Sequence, residues 1–270
     1  MNKIIEIVKY IILGIIQGVA EIFPISSSGH LTIFYFYFKI NENDRLNLTL
    51  FLHLASCLAL IIYYNKTLFF MIKSVFLYVF KKDKNYKEGF KLFIYLVVAS
   101  IPSIIVGFLI KPFVEKSFNS LLMLSIGFLL TSIILLISKF IKNNKNTYSF
   151  KNTFVTGVFQ SFALLPGISR SATTMLGAKS AKLEDNNAKQ FTFLLLIPIT
   201  LGSTFMSFLD VSITNYNNLY LYLIAFIVTF VVTLVSLKLF IKKYTSKHNL
   251  YFSFYLICLS LIVTYIYYLS

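Results

Sequence analysis

Glu21 stands inside an otherwise apolar run, with Gln17 four residues before it and Pro24-Ile-Ser-Ser-Ser-Gly-His30 directly after. On a helix an i, i+4 pair shares one face, so Gln17 and Glu21 present an amide and a carboxylate side by side. A carboxylate at membrane depth costs at least about 2.5–3.5 kcal/mol on insertion scales, so it calls for a partner or a function. Ser27 has His30 one turn on, where an imidazole can act as general base for the hydroxyl or for a water. Each hydroxyl of Ser26, Ser27 and Ser28 reads equally well as a helix cap.

A second polar stretch, Pro166-Gly-Ile-Ser-Arg-Ser-Ala-Thr-Thr174, follows much later. Of 25 basic residues counted as Lys plus Arg, Arg45 and Arg170 alone are arginine. Where this chain needs bare positive charge it uses lysine, so Arg170 is read as chosen for its planar two-pronged donors, which suit phosphate or carboxylate. Ser26, Ser28 and Gly29 in the first stretch, with Gly167, Ser169, Ser171 and Thr174 in the second, supply hydroxyls and backbone N–H groups at broken-helix starts. Such ends form anion cradles. His53, alone in an apolar span, reads as structural. Cys57 and Cys258 read as small buried hydrophobes with no disulfide framework.

The elements that must position these residues belong to a membrane. The chain is 57% hydrophobic and 13% charged over 270 residues, against about 25% charged in soluble domains. Apolar runs predict six spans, at 46–64, 93–110, 121–140, 191–209, 220–240 and 251–269. The segment 66–91 reads as an amphipathic, lysine-rich connection. Met1–Phe38 is too polar for a span, breaks at Pro24 and returns through about two turns, which is a re-entrant pattern. Phe154–Asn187, broken at Pro166-Gly167, is a second. The first apolar segment is not expected to be a cleaved signal. A net charge of +15 is read as lysine gathered in cytoplasmic loops rather than a nucleic-acid surface. With the first element re-entrant, 66–91, 139–151, 179–189 and 238–247 share one side, and about three quarters of the lysine and arginine lie there, making it cytoplasmic.

Gly14, Gln17, Ala20, Ile25, Ser26 and Ser28 recur 143 residues later as Gly157, Gln160, Ala163, Ile168, Ser169 and Ser171. The expected fold is therefore all-α and integral to the membrane. It is one polytopic domain of about six transmembrane helices plus two re-entrant helix pairs, in an inverted-topology repeat with halves near 1–140 and 141–270. Such folds place their site at the midplane.

These residues resemble the undecaprenyl-diphosphate phosphatase family, the bacitracin-resistance type of bacterial membrane enzyme. Its motifs are matched by Gln17-Gly-Val-Ala-Glu21, by Pro24 to His30 and by Pro166 to Thr174, and the likeness runs along nearly the whole chain. The resemblance implies hydrolysis of undecaprenyl diphosphate to the monophosphate, recycling the carrier for cell-wall synthesis and conferring bacitracin resistance. It implies that Glu21 and Gln17 bind a divalent cation, Mg2+ or Ca2+. Ser27 or an activated water would attack, His30 would move the proton, and Arg170 would clamp the diphosphate. Ser26, Ser169, Ser171 and Thr174 would hold its oxygens. The implied setting is the bacterial cytoplasmic membrane, with a pocket open to the outer side, and it admits a homodimer. Gln17 is the neutral option at its position, and Ala172 stands where the family usually has glycine. A lipid-phosphate transporter or flippase of the same architecture remains the other reading. The second integral lipid phosphatase superfamily is set aside, because Leu176 stands where its second histidine belongs.

Overall fold

A computed structural model describes residues 3–118, 120–141, 146–210 and 218–269. Among the described residues the chain forms eleven α-helices. They are α1 (Lys3–Ala20), α2 (Ser27–Tyr37), α3 (Glu42–Tyr63), α4 (Asn65–Phe80), α5 (Lys87–Phe118), α6 (Leu121–Phe140), α7 (Phe150–Ser161), α8 (Arg170–Ser180), α9 (Asp185–Asp210), α10 (Leu219–Lys243) and α11 (Asn249–Leu269). Six stretches are long and apolar enough to cross a membrane: Asp44–Tyr63, Lys84–Val114, Leu121–Phe140, Asp185–Met206, Leu219–Lys243 and Ser246–Leu269. These are the six expected spans with shifted ends. Residues 142–145, within the 139–151 stretch placed on the cytoplasmic side, and 211–217, between the expected spans 191–209 and 220–240, lie outside the described residues.

Three local features differ from expectation. The segment after α3 is a regular helix, α4, because Asn65–Phe80 holds no glycine or proline to break it. Helix α2 runs three turns rather than two, its apolar side chains continuing to Tyr37. Helix α5 passes through Pro102 and Pro112 and reaches 32 residues; neighbouring helices let membrane proteins tolerate such prolines.

Helices α1 and α2 form a hairpin whose open end is closed by Lys9, its Nζ donating to the Phe38 carbonyl at 3.3 Å. Its bend follows from sequence. Helix α1 stops at Ala20, Pro24 cannot donate, and Ser26 takes φ +69° as N-cap of α2, its hydroxyl accepting from Gly29 N. Helices α7 and α8 form a second hairpin, closed at its open end by Glu184 N donating to Asn146 O at 3.1 Å. Here Gly167 takes φ +80°, a conformation glycine adopts without Cβ strain.

The hairpins enter from opposite ends of the bundle. Tyr10, Leu13 and Tyr35 of the first pack with Leu221 and Tyr222 at the start of α10. Ala178 and Leu183, at the open end of the second, share a cluster with Phe240 and Tyr244 at the end of α10. The bends meet between these clusters, where Ser171 Oγ donates to Phe23 O at 3.4 Å. Each first arm lies backbone-close on a span. A Cβ at Gly14 would meet Ala225 O of α10, and one at Gly157 would meet Ala99 O of α5. Small residues permit such approach where lipid supplies no hydrophobic drive between helices.

Candidate active site

The two bends and three spans, α3, α5 and α9, enclose a cavity of about 700 Å³, within the range of small-molecule sites. Helices α2 and α8 both aim their N-termini at it, so backbone N–H groups and the positive helix ends face the same space. Of the expected residues, Glu21, Ser26, Ser27, Ser28, Ser169, Arg170 and Ser171 line it.

Glu21 is its polar centre and is 7% exposed. Its Oε2 accepts from Ser27 Oγ at 2.5 Å and from Gln17 Nε2 at 3.1 Å. The same oxygen lies 3.7 Å from His53 Nδ1. Its Oε1 lies 4.0 Å from Arg170 Nη1. Arg170 is steered from the other side by Thr200 of α9, whose Oγ1 accepts from Nη1 at 3.0 Å. The cation is thus held between a carboxylate and a hydroxyl, with its remaining donors directed by neither. A guanidinium so placed keeps prongs for a phosphate.

The Ser169 loop is pinned by Thr131 of α6. Thr131 Oγ1 donates to Gly167 O at 2.9 Å and accepts from Ser169 N at 3.0 Å. Ser169 Oγ caps α8 by accepting from Ala172 N and lies 3.2 Å from Ser171 Oγ. Gly29, Gly167 and Thr174 stand behind the lining. Thr174 donates to Gln160 Oε1 at 3.4 Å, and Gln160 in turn donates to Ser103.

His30 is not brought to Ser27. Its Nδ1 lies 2.8 Å from the Ser26 carbonyl, so that nitrogen carries the proton and donates. Its Nε2 then accepts from the Tyr255 hydroxyl at 2.7 Å, and the two rings stack at 5.7 Å. The partner placed on the Ser27 hydroxyl is Glu21. His53, read from sequence as structural, lines the cavity beside Glu21 and accepts from Gln17 Nε2 at 3.3 Å. The signal available for it was Glu21 itself: a buried carboxylate needs a partner, and His53 is a titratable side chain in the very next span. Thr200, Ser100, Ser103 and Ser203 carried no such signal, since hydroxyls are ordinary in membrane helices.

The donor set can be tested against a divalent cation. Gln17 is fully buried and its Oε1 has no partner. As placed, the amide turns Nε2 toward Glu21; turned over, Oε1 would join the Glu21 carboxylate and Ser27 Oγ in a small set of hard oxygen donors. Among the described residues no group of three or more His, Cys, Asp or Glu side chains converges. So arranged, the set would suit Mg2+ as it is commonly bound, through one or two carboxylates with substrate phosphates completing the shell.

A family model described as "Bacitracin resistance protein BacA" matches residues 10–262. An undecaprenyl-diphosphatase of Acholeplasma laidlawii is 41% identical over 210 residues, covering 74% of this chain and 75% of that protein. Undecaprenyl-diphosphatase 2 of Bacillus thuringiensis is 35% identical over 261 residues, covering 95% of this chain and 96% of that protein. An undecaprenyl-diphosphatase of Thermosipho melanesiensis is 39% identical over 209 residues, covering 77% and 80%. Glu21, Ser27 and Arg170 thus converge in a chain that belongs to the bacitracin resistance protein BacA family.

Proposed function

We propose that this protein hydrolyses undecaprenyl diphosphate to undecaprenyl phosphate and inorganic phosphate, returning the carrier to cell-wall synthesis and raising tolerance of bacitracin. The observation that carries the reading is the Ser27 hydroxyl held 2.5 Å from the Glu21 carboxylate in the cavity that Arg170 enters. A transporter needs a charged cradle but no hydroxyl poised on a base.

In this reading Arg170 binds the diphosphate and offsets the charge on the transferring phosphoryl group, while the N-termini of α2 and α8 hold its oxygens. Phosphoryl transfer is mostly positioning and charge stabilisation, which this set supplies. Glu21 takes the proton from Ser27, or from a water held in its place, as that oxygen attacks the terminal phosphorus and the bond to the bridging oxygen breaks, undecaprenyl phosphate leaving. Where Ser27 attacks, a water then hydrolyses the phosphoserine to inorganic phosphate and restores the hydroxyl. His30 orients the first turn of α2 through Ser26 O and Tyr255, and His53 steadies Glu21 through Gln17. Gln17 and Glu21, together with diphosphate oxygens, would hold a divalent cation, Mg2+ or Ca2+, which when bound neutralises phosphate charge.

We further read the two hairpins as re-entrant elements of an inverted repeat, with Gly14 on α10 answering Gly157 on α5. The lysine-rich ends of the spans then face the cytoplasm of a bacterial cell, and the cavity opens toward the outer side. One copy holds the whole residue set, so pairing of copies is not required for the chemistry.

Phosphate release from undecaprenyl diphosphate by the detergent-purified protein tests the assignment. Steady release is expected. No release, with lipid movement retained in liposomes, would make the protein a transporter.

A further inference from the structure

The chain has ten glycines, and at eight of them a Cβ would come within 3.0 Å of a neighbouring heavy atom, so close packing accounts for them. Gly107 and Gly202 are different. A Cβ on Gly107 would find only Leu164, at 3.8 Å, and one on Gly202 would find nothing within 4 Å. Neither has a positive φ, and each lies inside a long helix, α5 and α9 respectively. An unforced glycine weakens a helix relative to alanine. In membranes glycine also serves close helix contact, but then a partner atom would crowd the missing Cβ, and at Gly202 none does.

Both glycines line the active-site cavity. Ile104 and Phe108 flank Gly107 on one face of α5, and Ile199 and Met206 flank Gly202 on α9, all four lining the same space. Thr200, which holds Arg170, lies two residues from Gly202. The cavity is charged at the Glu21–Arg170 end, carries Lys111 of α5 and Ser203 of α9 further along its lining, and is otherwise apolar along a stretch that follows α9 from Thr200 to Met206, about 9 Å at helical rise.

Resting on the phosphatase reading above, we propose that Gly107 and Gly202 set the width of a slot between α5 and α9. The slot takes the isoprenoid chain next to the diphosphate, so the two glycines are specificity-determining residues for a long, methyl-branched lipid. The occupant is fixed by continuity: a molecule whose phosphates sit at Arg170 has its alkyl end directed along these two bare helix faces. A side chain at either position fills the slot without touching the charged end.

The test compares kcat/KM for undecaprenyl diphosphate with that for methyl diphosphate, whose single carbon stops at the charged end. Gly107→Leu and Gly202→Leu are expected to lower the long-to-short ratio at least tenfold. Leu201→Phe, which adds bulk on the lipid-facing side of α9 where Leu201 is 44% exposed, is expected to leave the ratio unchanged. Gly202→Ala guards against misfolding, and is expected to lower the ratio while raising Tm, as a helix-interior glycine replaced by alanine should. A second readout is the Tm increase given by undecaprenyl monophosphate, expected to shrink in both leucine variants. An unchanged ratio in both leucine variants, or equal loss on both substrates, would overturn the slot. A wild-type protein that releases no phosphate, yet shows the lipid-induced Tm increase and loses it in Gly202→Leu, would overturn the phosphatase reading and keep the slot.

Discussion

Arg170 is fixed by two unlike partners, a carboxylate oxygen at 4.0 Å and the Thr200 hydroxyl at 3.0 Å. Both contacts fall on Nη1, so a lysine can keep the charge and one donor site but not the guanidinium's second prong. Arg170→Lys is therefore expected to lower kcat/KM on undecaprenyl diphosphate by about 100-fold, the scale of losing one donor aimed at transition-state charge. Turnover near wild type in a phosphate-release assay would remove Arg170 from that role. Arg170 and Glu21 were legible in sequence because each is costly at membrane depth and nothing in local structure requires either. The Ser27–His30 spacing was legible but its pairing was not. Helical side chains lean toward the N-terminus, and that lean carries His30 Nδ1 back to the carbonyl of Ser26, which also accepts the His30 backbone N–H. His53 was masked by a sound prior, since one histidine in an apolar span says nothing until its neighbour across the bundle is known.

At the scale of elements, the site depends on hairpins held at ends far from the chemistry. Where α8 turns into α9, Asp185 lies 2.9 Å from Lys179 Nζ and 3.1 Å from Lys189 Nζ. Lys179 also donates to Ser246 and Lys189 to Tyr244 O, so the cluster ties the second hairpin to the turn after α10. Both lysines are nearly buried, at 3% and 6% exposed. Removing their shared carboxylate leaves charge without its counterion, and Asp185→Asn is expected to destabilise by about 3 kcal/mol. Thermal unfolding in detergent checks this, and an unchanged Tm would contradict it. The spans themselves were readable from apolar run length. Helix α4 and the passage of α5 through Pro102 and Pro112 were not, because neighbours decide whether such segments stay helical.

At the scale of the molecule, two hairpins whose open ends pack at opposite ends of α10 put half the site on each. The acid and the hydroxyl come from the first, and the cation comes from the second. The proposed orientation rests on lysine distribution and is open to measurement. In a Cys57→Ala, Cys258→Ala background, cysteines placed at Lys66 and Lys247 are expected to react with an impermeant thiol reagent only from the cytoplasmic side. One at Lys39 is expected to react only from outside. The reverse pattern would invert the topology. The central claim, that Ser27 and Glu21 act as one unit in the attack on phosphorus, is tested most directly by a double-mutant comparison of phosphate release from undecaprenyl diphosphate. Ser27→Ala and Glu21→Gln are each expected to cost at least about 100-fold, and the double variant no more than the worse single one, because the two act as a unit. Independent, multiplying losses, or a Glu21→Gln variant within twofold of wild type, would contradict the account.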